Sequence, residues 1–190
     1  SIDRIKIILN KENRLWLPAV NQGLKIIAED TKYCLLLNSD IEIYKGNWVQ
    51  TIQQPMLENA SIGITGTHYN FLPYKPTYGA IDGCCFMFRR ILIDKLGYFD
   101  ENYPWNGAPF IYTALAWKLG QYFFHIKDDS ILYHYGKKSR LANRIQLKNW
   151  RVDYQNVMRE AGLKPSFDIL AIISNKLNLF NINSRIKKML

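Results

Sequence analysis

Apolar positions along the chain fall into short dense runs, separated by segments with helical spacing or by polar turns. Ile5–Leu9 (IKIIL) reads as a first strand, after which the chain turns through Asn10-Lys11-Glu12-Asn13. From about Leu15 to Glu29, the residues Leu17, Val20, Leu24, Ile27 and Ala28 recur on one side of a helix. Pro18 fits its first turn, where a missing N–H costs no hydrogen bond. Tyr33–Leu37 (YCLLL) is a second strand and stops abruptly at Asn38-Ser39-Asp40. Strand, helix, strand in this order predicts a parallel pair with a right-handed crossover. A helix over Trp48–Glu58 and a third strand, Ile62–Gly66, follow. His68 to Gly79, rich in Tyr, Pro and Gly, has no helical period and reads as an extended loop or edge hairpin.

Ala80–Arg89 (AIDGCCFMFR) predicts one long strand with Asp82-Gly83 at its entrance. A short helix, Ile91–Leu96, is stopped by Gly97, and a polar-aromatic loop leads to a helix from Pro109 to about Leu119, closed by Gly120. Gln121–Ile126 and Ile131–Tyr135 are further strands around the turn 127–130. Beyond Gly136 the composition shifts to basic helix, Lys138 to about Ala161, then a helix from Ser166 to about Leu177 and a basic tail at Arg185, Lys187 and Lys188. The alternation of strand and helix predicts the α/β class.

A length of 190 residues suits one domain with a real core, and 48% apolar residues agree with that. The net charge of +9 changes the picture, because it favours an anionic partner: nucleic acid, an acidic membrane surface or a phosphorylated small molecule. No motif for reading bases is present, so no nucleic-acid partner is expected. Apolar residues of the last segment (Ile169, Leu170, Ile172, Ile173, Leu177) lie near Lys176 and the basic tail. They suit an interfacial helix or packing on another part of a protein. The three cysteines, at 34, 84 and 85, sit in apolar runs without metal-ligand spacing and read as buried free thiols of a reducing compartment. No apolar run reaches the length of a membrane span. The expected location is cytoplasmic, peripheral on the inner face of a membrane. Aromatic residues are abundant, with five Trp and twelve Tyr, and amphipathic rings hold polar ligands with flat apolar faces, sugars among them.

In an open α/β sheet, ligands bind outside the carboxyl ends of the strands, which is where Asp40 lies. An Asp after a strand equally serves an ordinary turn. Asp82 stands beside Gly83, where the absence of a side chain lets a ligand approach.

Four stretches, in order, resemble the inverting family 2 glycosyltransferases of the A-type fold. NKENRLWLPAVNQGL is similar to the helix entry of that family, with Asn21-Gln22-Gly23 as its Asn-x-Gly; LLLNSDIEI looks like its metal-binding Asp-x-Asp element. IDGCCFMFRRILIDKLGYFDENY matches a small-residue strand, Arg-Arg, a short helix, Gly and Phe-Asp-Glu, and ILYHYGKKS resembles a strand ending in His before Gly and Ser. The resemblance spans roughly residues 5 to 140 and implies a Rossmann-like, mostly parallel central sheet flanked by helices. Residues 1–140 are then the catalytic domain, and 141–190 a basic helical extension packed on it or on a membrane or partner. The family's usual first strand and helix have no counterpart here.

The implied activity is metal-dependent transfer of a sugar from a nucleotide-diphosphate sugar to a glycan or lipid-linked acceptor, with Mn²⁺ or Mg²⁺ as cofactor. By the resemblance, Asp40 and His134 are the metal ligands, with Asn38 in the first acidic position of the element. Asn13, Asn21, Gly23, Asn38, Lys137 and Ser139 are expected on the donor nucleotide. Asp82, Gly83, Trp105 and Asn106 are expected on the sugar and acceptor. The general base should follow the Phe-Asp-Glu loop, but counting along it lands on Ala108-Pro109, which accept no proton. Asp82 is the leading replacement, with Asp100 and Glu101 in reserve. If none substitutes, the chain is a non-catalytic nucleotide- or sugar-binding scaffold.

Overall fold

The computed structural model describes residues 5–102, 107–136 and 153–190. In chain order the elements are helix Trp16–Leu24 (α1), strands Tyr33–Leu37 (β1) and Ile41–Ile43 (β2), helix Trp48–Glu58 (α2), and strands Ile62–Gly66 (β3), Tyr69–Phe71 (β4), Tyr74–Lys75 (β5), Gly79–Ile81 (β6) and Cys85–Arg89 (β7). Helices Ile91–Leu96 (α3) and Gly107–Lys118 (α4), strands Tyr122–His125 (β8) and Leu132–His134 (β9), helix Tyr154–Glu160 (α5), strand Ser166–Phe167 (β10), and helices Ile169–Lys176 (α6) and Ile182–Met189 (α7) complete them. None of these helices is long and apolar enough to cross a membrane.

The mixed α/β class is as expected, but the pairing is not mostly parallel. The central sheet has the order β1-β7-β3-β8. β7 pairs antiparallel with both β1 and β3, and the β3–β8 ladder is parallel. Thus β1, β3 and β8 run one way and β7 runs against them. The predicted parallel pair of Ile5–Leu9 with Tyr33–Leu37 is not formed. Ile5, Ile7 and Leu9 are 68%, 77% and 89% exposed and belong to no strand, so among the described residues no strand pairs with this apolar run. The first helix also stops at Leu24, short of Glu29.

The predicted strand Ala80–Arg89 is two strands. Asp82 breaks it by accepting the Cys84 N–H on Oδ1 at 2.9 Å, a local bond that competes with the ladder. β6 pairs antiparallel with β4 in a two-stranded sheet of its own, so the Tyr- and Pro-rich segment contains a hairpin, separate from the central sheet. Ser166–Phe167, expected within a helix, instead pair with β5. The helix begins after Asp168, whose carboxylate accepts the Ala171 N–H as an N-cap. Of the predicted basic helix, residues 138–152 lie outside the described residues, and Tyr154–Glu160 are helical.

β3 (IGITG) is buried at every position and takes α2 on one side, where Thr65 Oγ1 donates to Ile52 O at 2.8 Å. A Cβ on Gly66 would lie 2.3 Å from both Cys85 O and Ile81 Cγ2, so only glycine lets β7 and β6 approach there. Phe86 and Phe88 of β7 form an aromatic core with Phe99 and Tyr112, the Phe99 and Tyr112 rings stacked at 4.4 Å. Truncating the fully buried Phe88 to Ala costs about 3–5 kcal/mol. Arg89 donates to Ile62 O, Asn59 O and Met56 O, so the first arginine of the Arg-Arg pair holds the end of α2.

Candidate functional site

Two turns meet at the carboxyl end of β1. Asn38 N donates to Cys84 O at 2.9 Å, tying the β1–β2 turn to the β6–β7 turn. Asp82 N in turn donates to His68 O at 2.8 Å, and Asp82 Oδ2 accepts from Asn70 Nδ2 at 3.0 Å. The β2–β9 ladder pairs Ile41 with His134, which sets His134 beside Asp40. His134 Nε2 and Asp40 Oδ1 are 3.2 Å apart.

These turns form one wall of a cavity of about 620 Å³, lined among others by Asn13, Trp16, Asn38, Asp40, Asp82 and Gly83. Gly83 makes room for the indole: a Cβ there would lie 2.7 Å from Trp16 Cη2 and 3.1 Å from Pro109 Cγ. Trp16 Nε1 donates to Asn38 Oδ1 at 3.0 Å, so the Asn38 carbonyl already has a partner. Asn13 Oδ1 accepts the Leu15 N–H at 2.9 Å and steadies Leu15, which has φ 67° in the left-handed region at the entry to α1.

Of the residues expected at the site, Asn13, Asn38, Asp40, Asp82 and Gly83 come together at the cavity, with His134 against Asp40. Asn21 and Gly23 do not line it. Asn21 is 3% exposed and holds the loop after α3: its Nδ2 donates to Phe99 O at 2.8 Å and to Glu101 Oε1 at 2.9 Å. Glu101 therefore sits at a separate cleft, with Arg14, Pro18, Gln22 and Lys25. Asp100 Oδ1 accepts from the backbone and side chain of Asn102, an exposed turn away from the cavity. Trp105, Asn106, Lys137 and Ser139 lie outside the described residues.

Ala108 is fully buried and Pro109 forms part of the cavity wall, so the expected base position presents no carboxylate. The carboxylates among the lining residues are Asp40 and Asp82. Donors about 2.1 Å from one ion at right angles lie about 3 Å apart, so Asp40 and His134 fit a divalent cation as neighbouring ligands. The same 3.2 Å serves a hydrogen bond between them.

Three participants escape sequence reasoning. Trp16 reads there as the start of a helix, Cys84 as a buried thiol and His68 as the first residue of an extended loop. In the structure, ligand atoms of His68, Cys84 and His134 all lie within 4.8 Å of one another. The three come from separate segments and share no spacing along the chain; the usable signal was their common position at or just beyond the ends of β3, β6 and β9. Burial pulls the His68 imidazole below its ordinary pKa, aided by His134. Burial pushes the Cys84 thiol up, with the Asp82 carboxylate adding to it. Cys34 and Cys85 are buried free thiols, both pushed up to about 11 mainly by burial.

No protein-family model, no curated protein and no solved structure matches this chain.

Proposed function

We propose that the chain is a glycosyltransferase domain of the A-type fold that moves a sugar from a nucleotide-diphosphate donor to a hydroxyl acceptor. The reading begins from the resemblance of four ordered sequence stretches. The observation that carries it is that Asp40, Asp82, Gly83 and Asn38, named from that resemblance, line one cavity together with the face of Trp16.

In this reading Asp40 and His134 would hold a divalent cation, Mn²⁺ or Mg²⁺, which would supply positive charge to the leaving diphosphate. The Trp16 indole packs against a flat face of the donor. Asp82 accepts the acceptor's hydroxyl proton as the new bond from that oxygen to the anomeric carbon forms and the bond from that carbon to the diphosphate oxygen breaks. Its carboxylate is fixed for this by Cys84 N and Asn70 Nδ2. Assay of a panel of nucleotide sugars with Mn²⁺ tests the reading. Turnover is expected in the wild type and lost in Asp40→Ala, while Asp82→Asn keeps donor binding and loses about 10²–10⁴-fold in rate. If no donor turns over and Asp40→Ala leaves nucleotide binding untouched, the reading fails.

A second reading, a non-catalytic donor-binding scaffold, is favoured by Ala108 and Pro109 at the expected base position. It predicts nucleotide binding that depends on Asp40 with no turnover in any condition. In either reading we place the protein in the cytoplasm, with its basic C-terminal segment against the anionic inner face of a membrane.

A further inference from the structure

We propose that His68, Cys84 and His134 form a Zn²⁺ site with three protein ligands and a fourth position open to an oxygen donor from the cavity. Their ligand atoms lie within 4.8 Å of one another; His68 and Cys84 sit on turns tied by Asp82 N to His68 O and Asn38 N to Cys84 O, and His134 ends β9, paired with Ile41 of β2. Ligands about 2.0–2.3 Å from a tetrahedral ion stand about 3.3–3.8 Å apart, so closure on the ion needs side-chain shifts of about 1 Å or less.

The partners of the two imidazoles support the same assignment. His68 Nδ1 is 3.0 Å from Thr67 Oγ1, and His134 Nε2 is 3.2 Å from Asp40 Oδ1. Each ring thus has one nitrogen beside an oxygen, and in the proposed site the other nitrogen binds the ion, the arrangement that orients metal-binding histidines. The rings of His68 and His134 meet edge to face at 5.5 Å. Cys84 is 1% exposed yet borders the cavity, which gives a soft sulfur ligand in a dry setting with one open side.

The donor set decides the metal. A thiolate and two imidazoles suit Zn²⁺, whereas Mg²⁺ prefers a shell of oxygens. In its geometry the site stands apart from the transferase reading. It shares His134 with that reading and assigns it differently: here Asp40 backs the imidazole as its outer partner, whereas there Asp40 and His134 would bind one cation directly, so the two assignments of His134 are alternatives.

The test uses the full chain, stripped with a chelator and titrated with Co²⁺ and then Zn²⁺ alone. Expected are one ion per chain, an intense tetrahedral visible spectrum and a thiolate-to-Co²⁺ charge-transfer band, all displaced by Zn²⁺. Cys84→Ser abolishes the charge-transfer band. His68→Gln keeps it but weakens Zn²⁺ binding by more than the roughly 10- to 100-fold typical of an outer-shell loss. A weak octahedral spectrum without the thiolate band in folded wild type overturns the proposal. Equal Zn²⁺ affinity in wild type and folded His68→Gln does so as well, and this second variant decides the matter should Cys84→Ser not fold. Zn²⁺ binding without sugar transfer sinks the transferase reading and leaves the site standing; Mn²⁺-supported transfer without the thiolate band does the reverse.

Discussion

Asn21 donates from Nδ2 to Phe99 O and accepts the Phe99 N–H on Oδ1 at 3.1 Å, so both backbone groups of a buried residue depend on one amide. Asn21→Ala leaves both unsatisfied, at about 1–3 kcal/mol for each buried group. The expected loss is about 3 kcal/mol in urea unfolding, with nucleotide affinity of the folded fraction unchanged. Two glycines give a sharper contrast. At Gly83 an added Cβ meets Trp16 at 2.7 Å, so Gly83→Ala pushes the indole out of place and is expected to weaken nucleotide-sugar binding about tenfold or more. At Gly23, inside α1, an added Cβ meets nothing within 4 Å. Gly23→Ala should therefore stabilise the chain by about 0.5–1 kcal/mol, from the lower entropy of the unfolded chain, without touching binding. Equal effects of the two substitutions on titration calorimetry would contradict the placement of the cavity. At this scale the sequence was informative for Asp40, Asp82 and Gly83, because a polar residue breaking an apolar run is a local signal. Trp16 gave no such signal, since nothing in its neighbours along the chain says that Asn38 and Gly83 await it.

Elements were legible where their cause is local and obscure where it is a pairing. Tyr33–Leu37, Trp48–Glu58, Ile62–Gly66 and Ile91–Leu96 have the expected bounds, each set by a nearby polar or glycine stop. Ile5–Leu9 looked no different as a run, and failed because a strand needs a neighbour. The insertion of β7 between β1 and β3 was equally invisible, since antiparallel order depends on contacts distant in sequence. One packing relation at this scale carries a pH dependence. At the end of β8, His125 exchanges two hydrogen bonds with the Asn183 side chain of α7, its Nε2 is 3.1 Å from Thr67 O, and its Nδ1 is buried without a partner among the described residues. Burial holds this imidazole below its ordinary value; Lys127 and His68 act the same way, while the Thr67 carbonyl and Asp129 oppose it. The unfolded chain therefore takes up this proton first as pH falls. The stability is fully present above the unfolded value near 6.5 and is lost as pH drops through the lower folded value. Unfolding midpoints should fall from pH 7 to pH 5, and His125→Phe should flatten part of that slope; an unchanged slope would remove His125 from the account.

For the molecule as a whole, the C-terminal segment combines anchorage with an uncovered apolar surface. α6 is fixed at its start, where Asp168 caps Ala171 N and accepts from Tyr78 Oη at 2.7 Å, while Ala171 is buried. Beyond that anchor Leu170, Leu177 and Leu179 are 62–72% exposed, together with Phe167, Ile169 and Ile173. Lys164, Lys176, Lys187 and Lys188 are exposed in the same segment, within a chain of net charge +9. Apolar side chains gain about 1.5–3 kcal/mol each on full burial, and each lysine near an anionic leaflet adds about 1 kcal/mol. Partial insertion of a few such residues is enough for reversible binding. Co-sedimentation with vesicles containing phosphatidylserine should therefore retain the protein at low salt and release it as salt screens the lysines. Neutral vesicles should bind it more weakly, and Leu170→Glu with Ile173→Glu should abolish binding in both while leaving the fold intact. Binding that ignores lipid charge and salt, or concentration-dependent self-association of wild type that the same two substitutions remove, would assign this face to a different occupant.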